Sequence, residues 1–225
     1  TQRTQTSIQV AVEGSGIGPL GLEWARAKVA RWLSTNWDPA EAIETARNID
    51  PAIAKAIRDG GGRFLRGSTF YEDFAKTLCT IQIAWSGTRR MVESLVDLGD
   101  GLFPTPRDIL DAGEDELRAG ARLGFRAPNL VESTKELLNR GLIDASSHGA
   151  EVARITYDEL LSLPGIGPYA ASHNLMLLHD FSRVPVDSAV SRYSRARYGL
   201  APDEIDGFFE PWGEYRFLGY KLSGR

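Results

Sequence analysis

Cysteine is nearly absent from this chain of 225 residues: Cys79 stands alone, which excludes a disulfide within the chain. No apolar run approaches the length that spans a bilayer, and the first residues lack the charged and then apolar pattern of a secretion leader. We therefore expect an intracellular protein that does not enter a membrane. Positive charge is not in excess either, since the net charge is −4, which argues mildly against a nucleic-acid binder.

The distribution of charge and apolar residues is more informative than the totals. Hydrophobic residues make up 42% of the chain, enough for a full core in one globular unit or in two closely packed lobes. Region 52–91 is net positive, and acidic residues are concentrated directly after it. A polarised surface and two ordinary solvated helix faces both account for this pattern. We expect an N-terminal segment over residues 1–50 that packs with the C-terminal part, and one helical domain over 51–225.

Apolar residues at helical spacing, bounded by glycine and proline, predict an all-α fold. A possible short strand over residues 7–12 alternates polar and apolar side chains and is the one β candidate. Helices are expected over residues 22–32, 39–46, 51–57, 70–82, 86–98, from 106 onward, 129–138, 157–163 and 168–178.

The segment 157–179 predicts two helices joined by a tight hairpin. Thr156 and Glu159 have the spacing of a capping box, which opens the first helix. Gly165 and Gly167 suit the hairpin, because glycine allows positive φ angles and leaves the backbone bare. Pro168 suits the first turn of the second helix. The free amides and the dipole at the start of that helix favour a bound phosphate without any lysine.

A single carboxylate follows this hairpin. Asp187 lies 20 residues after Gly167, behind a Val-Pro-Val turn and directly before a further helical stretch. An aspartate in this position commonly caps the helix that follows it. A cap also fixes the direction of the carboxylate, so capping is compatible with a chemical role.

Together these features resemble the helix-hairpin-helix motif and downstream aspartate of the base-excision DNA glycosylases. The order of further segments is similar to that in the 3-methyladenine DNA glycosylase II and 8-oxoguanine DNA glycosylase branch. These segments are 60–66, 78–84, 103–106, 123–127 and 211–216, and the resemblance covers about residues 51–222. It implies two helical lobes around a cleft. The iron-sulfur branch needs four cysteines and is disfavoured by the single Cys79.

The resemblance assigns roles to particular residues. It implies that Asp187 is catalytic and that Gly165, Ile166 and Gly167 bind DNA. Gln82 and Ile83 match the position that fills the gap left by a flipped base, although Ile83 is equally compatible with the core. The expected base-pocket residues are Tyr169, His173, Tyr220 and Trp85. A structural role explains the lone His173 as well as a base contact does.

Tyr169 bears on the type of reaction that the resemblance implies. Relatives that also cut the backbone carry a lysine at this position, because an amine forms a Schiff base with the sugar and a phenol does not. The expected activity is therefore a monofunctional DNA glycosylase that acts on double-stranded DNA, as a monomer, and leaves an abasic site.

Two alternatives remain open: a bifunctional glycosylase and lyase that uses another lysine, such as Lys221 or Lys76, and a non-catalytic DNA-binding protein. No cofactor and no catalytic metal are expected. The carbonyls of Leu161, Leu163 and Ile166 match those that hold a structural sodium or potassium ion in some relatives. Alkylated purine, oxidised guanine and modified pyrimidine all fit the sequence as substrate bases.

Overall fold

The computed structural model describes residues 10–14, 17–145 and 154–224, and these residues form helices joined by turns and loops. The prediction of an all-α fold is confirmed. Of the possible strand, residues 7–9 lie outside the described ranges, and residues 10–12 do not form a strand. The helices are α1 (Pro19–Trp32), α2 (Ala40–Ile49), α3 (Pro51–Arg58), α4 (Phe70–Cys79), α5 (Trp85–Leu98), α6 (Pro106–Ala119), α7 (Arg126–Asn139), α8 (Tyr157–Leu161), α9 (Pro168–Leu177), α10 (Ser188–Tyr198), α11 (Ile205–Phe208) and α12 (Arg216–Leu222), with a 3₁₀ segment at Glu210–Tyr215.

Local sequence signals set most of these boundaries. Proline begins α1, α3, α6 and α9, where its missing N–H has no helical acceptor to lose. The prediction that a helix begins only at residue 129 is wrong, because Pro128 fits within the first turn of α7, which begins at Arg126. The prediction that α4 reaches residue 82 is also wrong. It ends at Cys79, and Gln82 has a φ of 50° that no helix accepts.

Two buried apolar clusters lie in the fold, and helix α9 contributes to both. The first cluster is centred on α4 and α7 and includes Phe74, Leu130 and, from α9, Ala171. The second joins α2 and α3 to the last helices and includes Met176 and Leu177 from the end of α9. Burial of these side chains is the main force that fixes the position of α9. None of the helices in the described ranges is long and apolar enough to cross a membrane.

A buried arginine ties the loop between α3 and α4 to this framework. The guanidinium of Arg66 donates to the carbonyl of Arg31 at 3.1 Å, to the carbonyl of Leu177 at 3.1 Å and to Oδ1 of Asn36 at 3.0 Å. Hydrogen bonds from a buried charged group are among the stronger ones in proteins. They hold the loop, and with it Phe64, beside the end of α9.

Candidate active site

The hairpin between α8 and α9 has the predicted geometry. Side-chain oxygens cap the start of α8. Oγ1 of Thr156 accepts from the amide of Glu159 at 3.2 Å, and the Glu159 carboxylate accepts from the amide of Thr156 at 2.7 Å. The capping box predicted from these two residues is confirmed. The hydrogen bonds from the amide and the hydroxyl of Thr156 lower the pKa of Glu159.

The turn of the hairpin rests on α7. Gly165 has a φ of 78°, and a Cβ added there would lie 2.6 Å from Nδ2 of Asn129. The hydroxyl of Ser133 donates to the carbonyl of Pro164 at 2.9 Å. Both the backbone conformation and the close packing therefore require glycine at position 165.

Gly167 differs from Gly165 in both respects. It caps α9 with an extended backbone, φ −100° and ψ −178°, and a Cβ added there would meet no atom within 4 Å. No side chain caps the first amides of α9. These amides and the positive end of the helix dipole face open space, which is the arrangement that binds phosphate.

Asp187 is exposed and caps α10. Its Oδ1 accepts from the amide of Val190 at 2.7 Å, and its carbonyl accepts from the hydroxyl of Ser191, also at 2.7 Å. In the described part of the chain, no group donates a hydrogen bond to Oδ2. The cap fixes the direction of the carboxylate and leaves one oxygen available for a ligand.

A cavity of about 760 Å³ opens in front of this carboxylate, beside α9. Three of the four predicted base-pocket residues line it, namely Tyr169, His173 and Tyr220, together with Asp187. Trp85 does not line it. The remaining lining residues are Phe64, Leu65, Met176, Leu177, Pro185, Ala189, Val190, Tyr193, Phe217, Lys221 and Gly224.

Burial favours the neutral forms of three side chains in this cavity, those of Tyr169, His173 and Tyr220. Burial lowers the pKa of His173 to about 4, and the nearby charge of Asp187 only partly opposes this. Burial also raises the pKa of Tyr169 and of Tyr220, and the Asp187 carboxylate raises both further. The rings of Tyr169 and His173 lie 5.6 Å apart. At neutral pH the cavity therefore combines aromatic walls, a neutral imidazole and one carboxylate.

Solved structures with a similar fold include an 8-oxoguanine glycosylase/lyase from Clostridium acetobutylicum. The two sequences are 18% identical, the match covers 88% of this chain and 75% of the other, and the TM-score is 0.66. A 3-methyladenine DNA glycosylase from Archaeoglobus fulgidus is 21% identical, with coverages of 92% and 77% and a TM-score of 0.62. A 3-methyladenine DNA glycosylase from Schizosaccharomyces pombe, in complex with abasic DNA, is 19% identical, with coverages of 80% and 93% and a TM-score of 0.60. The chain has the fold of the helix-hairpin-helix DNA glycosylases. The sequence matches no protein-family model, and it matches none of the curated proteins.

In this glycosylase fold, the loop between α4 and α5 carries Gln82 and Ile83. Gln82 is exposed with a positive φ, and Ile83 is 40% exposed while its side chain packs against Gly87. Arg126, at the start of α7, holds this loop in place, because its Nε donates to the carbonyl of Ile81 at 3.1 Å. Thr80, at the start of the loop, lies near enough to the Tyr169 phenol to lower its pKa, which partly opposes the effect of burial and places the loop beside the cavity.

Trp85 and Cys79 lie away from the cavity. Trp85 is 70% exposed at the start of α5, outside the lining of the cavity. Cys79 is fully buried in the first apolar cluster, and burial raises the pKa of its thiol to about 12. Among the residues of the described ranges, no group of three or more His, Cys, Asp or Glu side chains is placed to hold a metal ion.

Several residues that line the cavity were not predicted from the sequence. Phe64 and Leu65 come from the loop before α4, far from the hairpin in sequence, and carry no local signal. Val190 and Tyr193 did carry one, since they follow Asp187 at helical spacing on one face of α10.

Proposed function

We propose that this protein is a DNA glycosylase that rotates a damaged or modified base out of double-stranded DNA and hydrolyses its N-glycosidic bond, leaving an abasic site. The observation that carries the proposal is the placement of the Asp187 carboxylate in the wall of an aromatic cavity next to the hairpin. A volume of about 760 Å³ accommodates one nucleotide, and the aromatic side chains offer faces on which a base stacks.

The hairpin binds the DNA backbone. The uncapped amides at the start of α9, next to Gly167, bind a phosphate of the strand that carries the flipped nucleotide. The exposed loop with Gln82 and Ile83 enters the gap left in the duplex, which offsets the few kcal/mol that unstacking costs. The protein acts as a monomer. The carbonyls of Leu161, Leu163 and Ile166 would hold a structural sodium or potassium ion, which would add positive charge on the side of the hairpin that faces DNA.

Asp187 performs the chemistry. As the base leaves, positive charge develops on the sugar, as it does in glycoside hydrolysis, and a fixed carboxylate stabilises it. Oδ1 stays bonded to the amide of Val190. Oδ2 faces the sugar and accepts a proton from the attacking water. Release of the base is hydrolytic because Tyr169 stands where lyase relatives carry a lysine, and a phenol forms no imine.

The base is read by neutral groups. His173 is uncharged at neutral pH and both donates and accepts one hydrogen bond, and the phenols of Tyr169 and Tyr220 each do the same. The rings beside them provide the stacking surface. The proposed reaction uses no cofactor and no iron-sulfur cluster.

The test is a panel of duplexes that each carry one modified base. The protein is incubated with each duplex, the abasic sites are cleaved with alkali, and strand breaks are counted. We expect breaks at one class of base, and a loss of at least about 100-fold in Asp187→Asn, the cost of removing one group that stabilises transition-state charge.

A matched control is available in Asp50, which caps α3 by accepting from the amide of Ala52 at 2.9 Å and does not line the cavity. Asp50→Asn should retain full activity. If no duplex is cleaved although the wild-type protein binds duplex DNA, the non-catalytic alternative is correct. If Asp187→Asn cleaves as fast as the wild type, the assignment of Asp187 is wrong.

A further inference from the structure

A row of four aromatic rings leads out of the cavity along α10. The rings of Tyr220 and Tyr193, which both line the cavity, lie 6.0 Å apart. The ring of Tyr198 lies 6.2 Å from that of Tyr193, and the ring of Phe208 on α11 lies 5.1 Å from that of Tyr198. Tyr198 and Phe208 are outside the lining of the cavity. We call these four side chains the aromatic strip.

The aromatic strip rests on a buried ring and is open to solvent at two positions. Phe209, in the second apolar cluster, lies 5.8 Å from Tyr220 between ring centres. It lies 6.0 Å from Tyr198 and 5.0 Å from Phe208. Tyr193 is nevertheless 36% exposed and Phe208 48% exposed. Packing on Phe209 therefore holds the strip in place, and two of its rings stay available to a ligand.

Unpaired positive charge accompanies the strip. Helix α10 carries three arginines, Arg192, Arg195 and Arg197, and no acidic residue after the aspartate that caps it. All three side chains are exposed, and none pairs with a carboxylate of the described ranges. Six other exposed cations, by contrast, pair with a carboxylate three or four residues away. They are Arg47 with Glu44, Lys55 with Asp59, Arg89 with Glu93, Arg118 with Glu114, Lys135 with Glu132 and Arg140 with Glu136. The charge on α10 therefore favours an anionic ligand.

Arg197 stands next to the aromatic strip. Val190, Tyr193 and Arg197 follow one another at helical spacing, so Arg197 continues the face of α10 that lines the cavity. Its guanidinium lies 5.9 Å from the centre of the Tyr198 ring. A ligand that leaves the cavity along this face meets an aromatic ring and a cation together.

Two carboxylates close to the end of the strip in sequence are engaged in other contacts. Asp206 pairs with Arg216 at 2.7 Å and accepts from the amide of Val184 at 2.9 Å. Glu204 accepts from the amide of Ala201 at 2.8 Å. Neither carboxylate neutralises an arginine of α10.

We infer that the aromatic strip and the arginines of α10 bind single-stranded DNA, and that the protein releases a modified base from an unpaired strand as well as from a duplex. The inference rests on the proposed function, since it takes the cavity as the place of the flipped nucleotide. Exposed rings beside unpaired cations are the arrangement that binds single strands, because bases stack on the rings and the cations contact phosphates. In a duplex the bases present only their edges, so the faces of Tyr193 and Phe208 find partners only in an unpaired strand.

Binding is measured first, with a labelled oligothymidine of about ten nucleotides, a length within the range that one single-strand site covers. This strand carries no modified base, so its binding does not depend on excision. We expect binding at low salt that weakens as salt is added. Polyglutamate, which offers negative charge without bases, should compete poorly, and an RNA strand of uridines should bind no more tightly than the DNA.

Variants of the strip make the assignment specific. Phe208→Leu keeps an apolar side chain for packing but offers no ring, so the Kd for oligothymidine should rise at least about fivefold. Arg197→Ala should lower the slope of log K against log salt by about 0.7, the share of one phosphate contact on a single strand. Trp24→Ala and Arg118→Ala remove an exposed ring and an exposed cation outside the cavity and the strip. Both controls should bind as the wild type does.

Excision is then measured on the base that the duplex panel identifies, placed in a single strand and in a duplex. We expect the wild type to release it from both. Phe208→Leu should lower kcat/KM for the single strand at least about fivefold, through KM, and leave kcat/KM for the duplex unchanged.

Failure of the wild type to bind oligothymidine at low salt would overturn the inference, as would equal binding by Phe208→Leu. Polyglutamate that competes as strongly as DNA, or RNA that binds more tightly, would also overturn it. Release of the base from the duplex alone would reject the single strand as a substrate. If the duplex panel fails while oligothymidine binding depends on Phe208, the proposed glycosylase is rejected and the single-strand site stands.

Discussion

The two glycines of the hairpin should respond in opposite ways to the same substitution by alanine. Gly165 has a φ of 78°, which costs an alanine about 1–2 kcal/mol. Its new Cβ would lie 2.6 Å from Nδ2 and 2.7 Å from Cγ of Asn129, so that side chain must move. We expect Gly165→Ala to lower the free energy of unfolding by about 2–3 kcal/mol, the two costs together.

Gly167→Ala should leave stability nearly unchanged. Its backbone is extended and its surroundings are open, so alanine is accommodated. The lower entropy of the unfolded chain offsets the weaker cap that alanine makes, and the net change should stay within about 1 kcal/mol. The added methyl group, however, would stand in the space before α9 where the phosphate is proposed to sit. Affinity for duplex DNA should fall at least about tenfold, or 1.4 kcal/mol.

Urea denaturation of both variants gives the free energies of unfolding, and titration of a fluorescent duplex at fixed salt gives the affinities. Position 165 should show the loss of stability, and position 167 the loss of affinity without it. Normal DNA binding by Gly167→Ala would refute the phosphate site at the hairpin. An unchanged stability of Gly165→Ala would refute the argument from its backbone angle and packing.

Further predictions concern the residues around the site. Arg126→Ala should lower the free energy of unfolding by about 2–4 kcal/mol in urea denaturation, since it removes a buried cation that donates to the carbonyl of Ile81; hydrogen exchange should show faster opening of the loop beyond it. Tyr71→Phe removes the buried hydroxyl contact with Thr134, 2.7 Å long, and should cost about 1 kcal/mol in the same assay. Burial lowers the pKa of His173 to about 4, so the neutral form contributes stability that is present above pH 6.5 and is lost as the pH falls towards 4. This loss of stability on acidification is at most about 3 kcal/mol. Thermal unfolding of His173→Gln at the same pH values should not show it.

Local signals allowed the hairpin and the aspartate to be predicted from the sequence. Thr156, Glu159 and Pro168 act within one turn of the chain, so the same interactions operate whatever surrounds them. Asp187 was predicted to cap a helix in a way that is compatible with a chemical role. Its Oδ1 does cap α10, and its other oxygen has no donor in the described part of the chain.

The cavity could not be predicted in the same way. Its walls come from the loop before α4 and from α9, α10 and α12, and their relative positions depend on packing across the fold. Phe64 lies in the wall because Arg66, two residues later, is bonded to the end of α9, and no pattern near Phe64 indicates this. Trp85 was expected in the pocket, yet it lies at the exposed start of α5 and does not line the cavity.

The position of helix α9 in both apolar clusters has a consequence for how mutants are interpreted. Ala170 and Ala171 pack into one cluster and Met176 and Leu177 into the other. Tyr169, just before the first pair, and His173, between the two pairs, line the cavity. A substitution that loosens either cluster therefore shifts the wall of the cavity as well, even from a distance. A core variant that loses activity therefore shows only that α9 has moved relative to one of the two clusters. Residues that act on DNA directly are identified by variants that lose activity while their unfolding free energies stay normal.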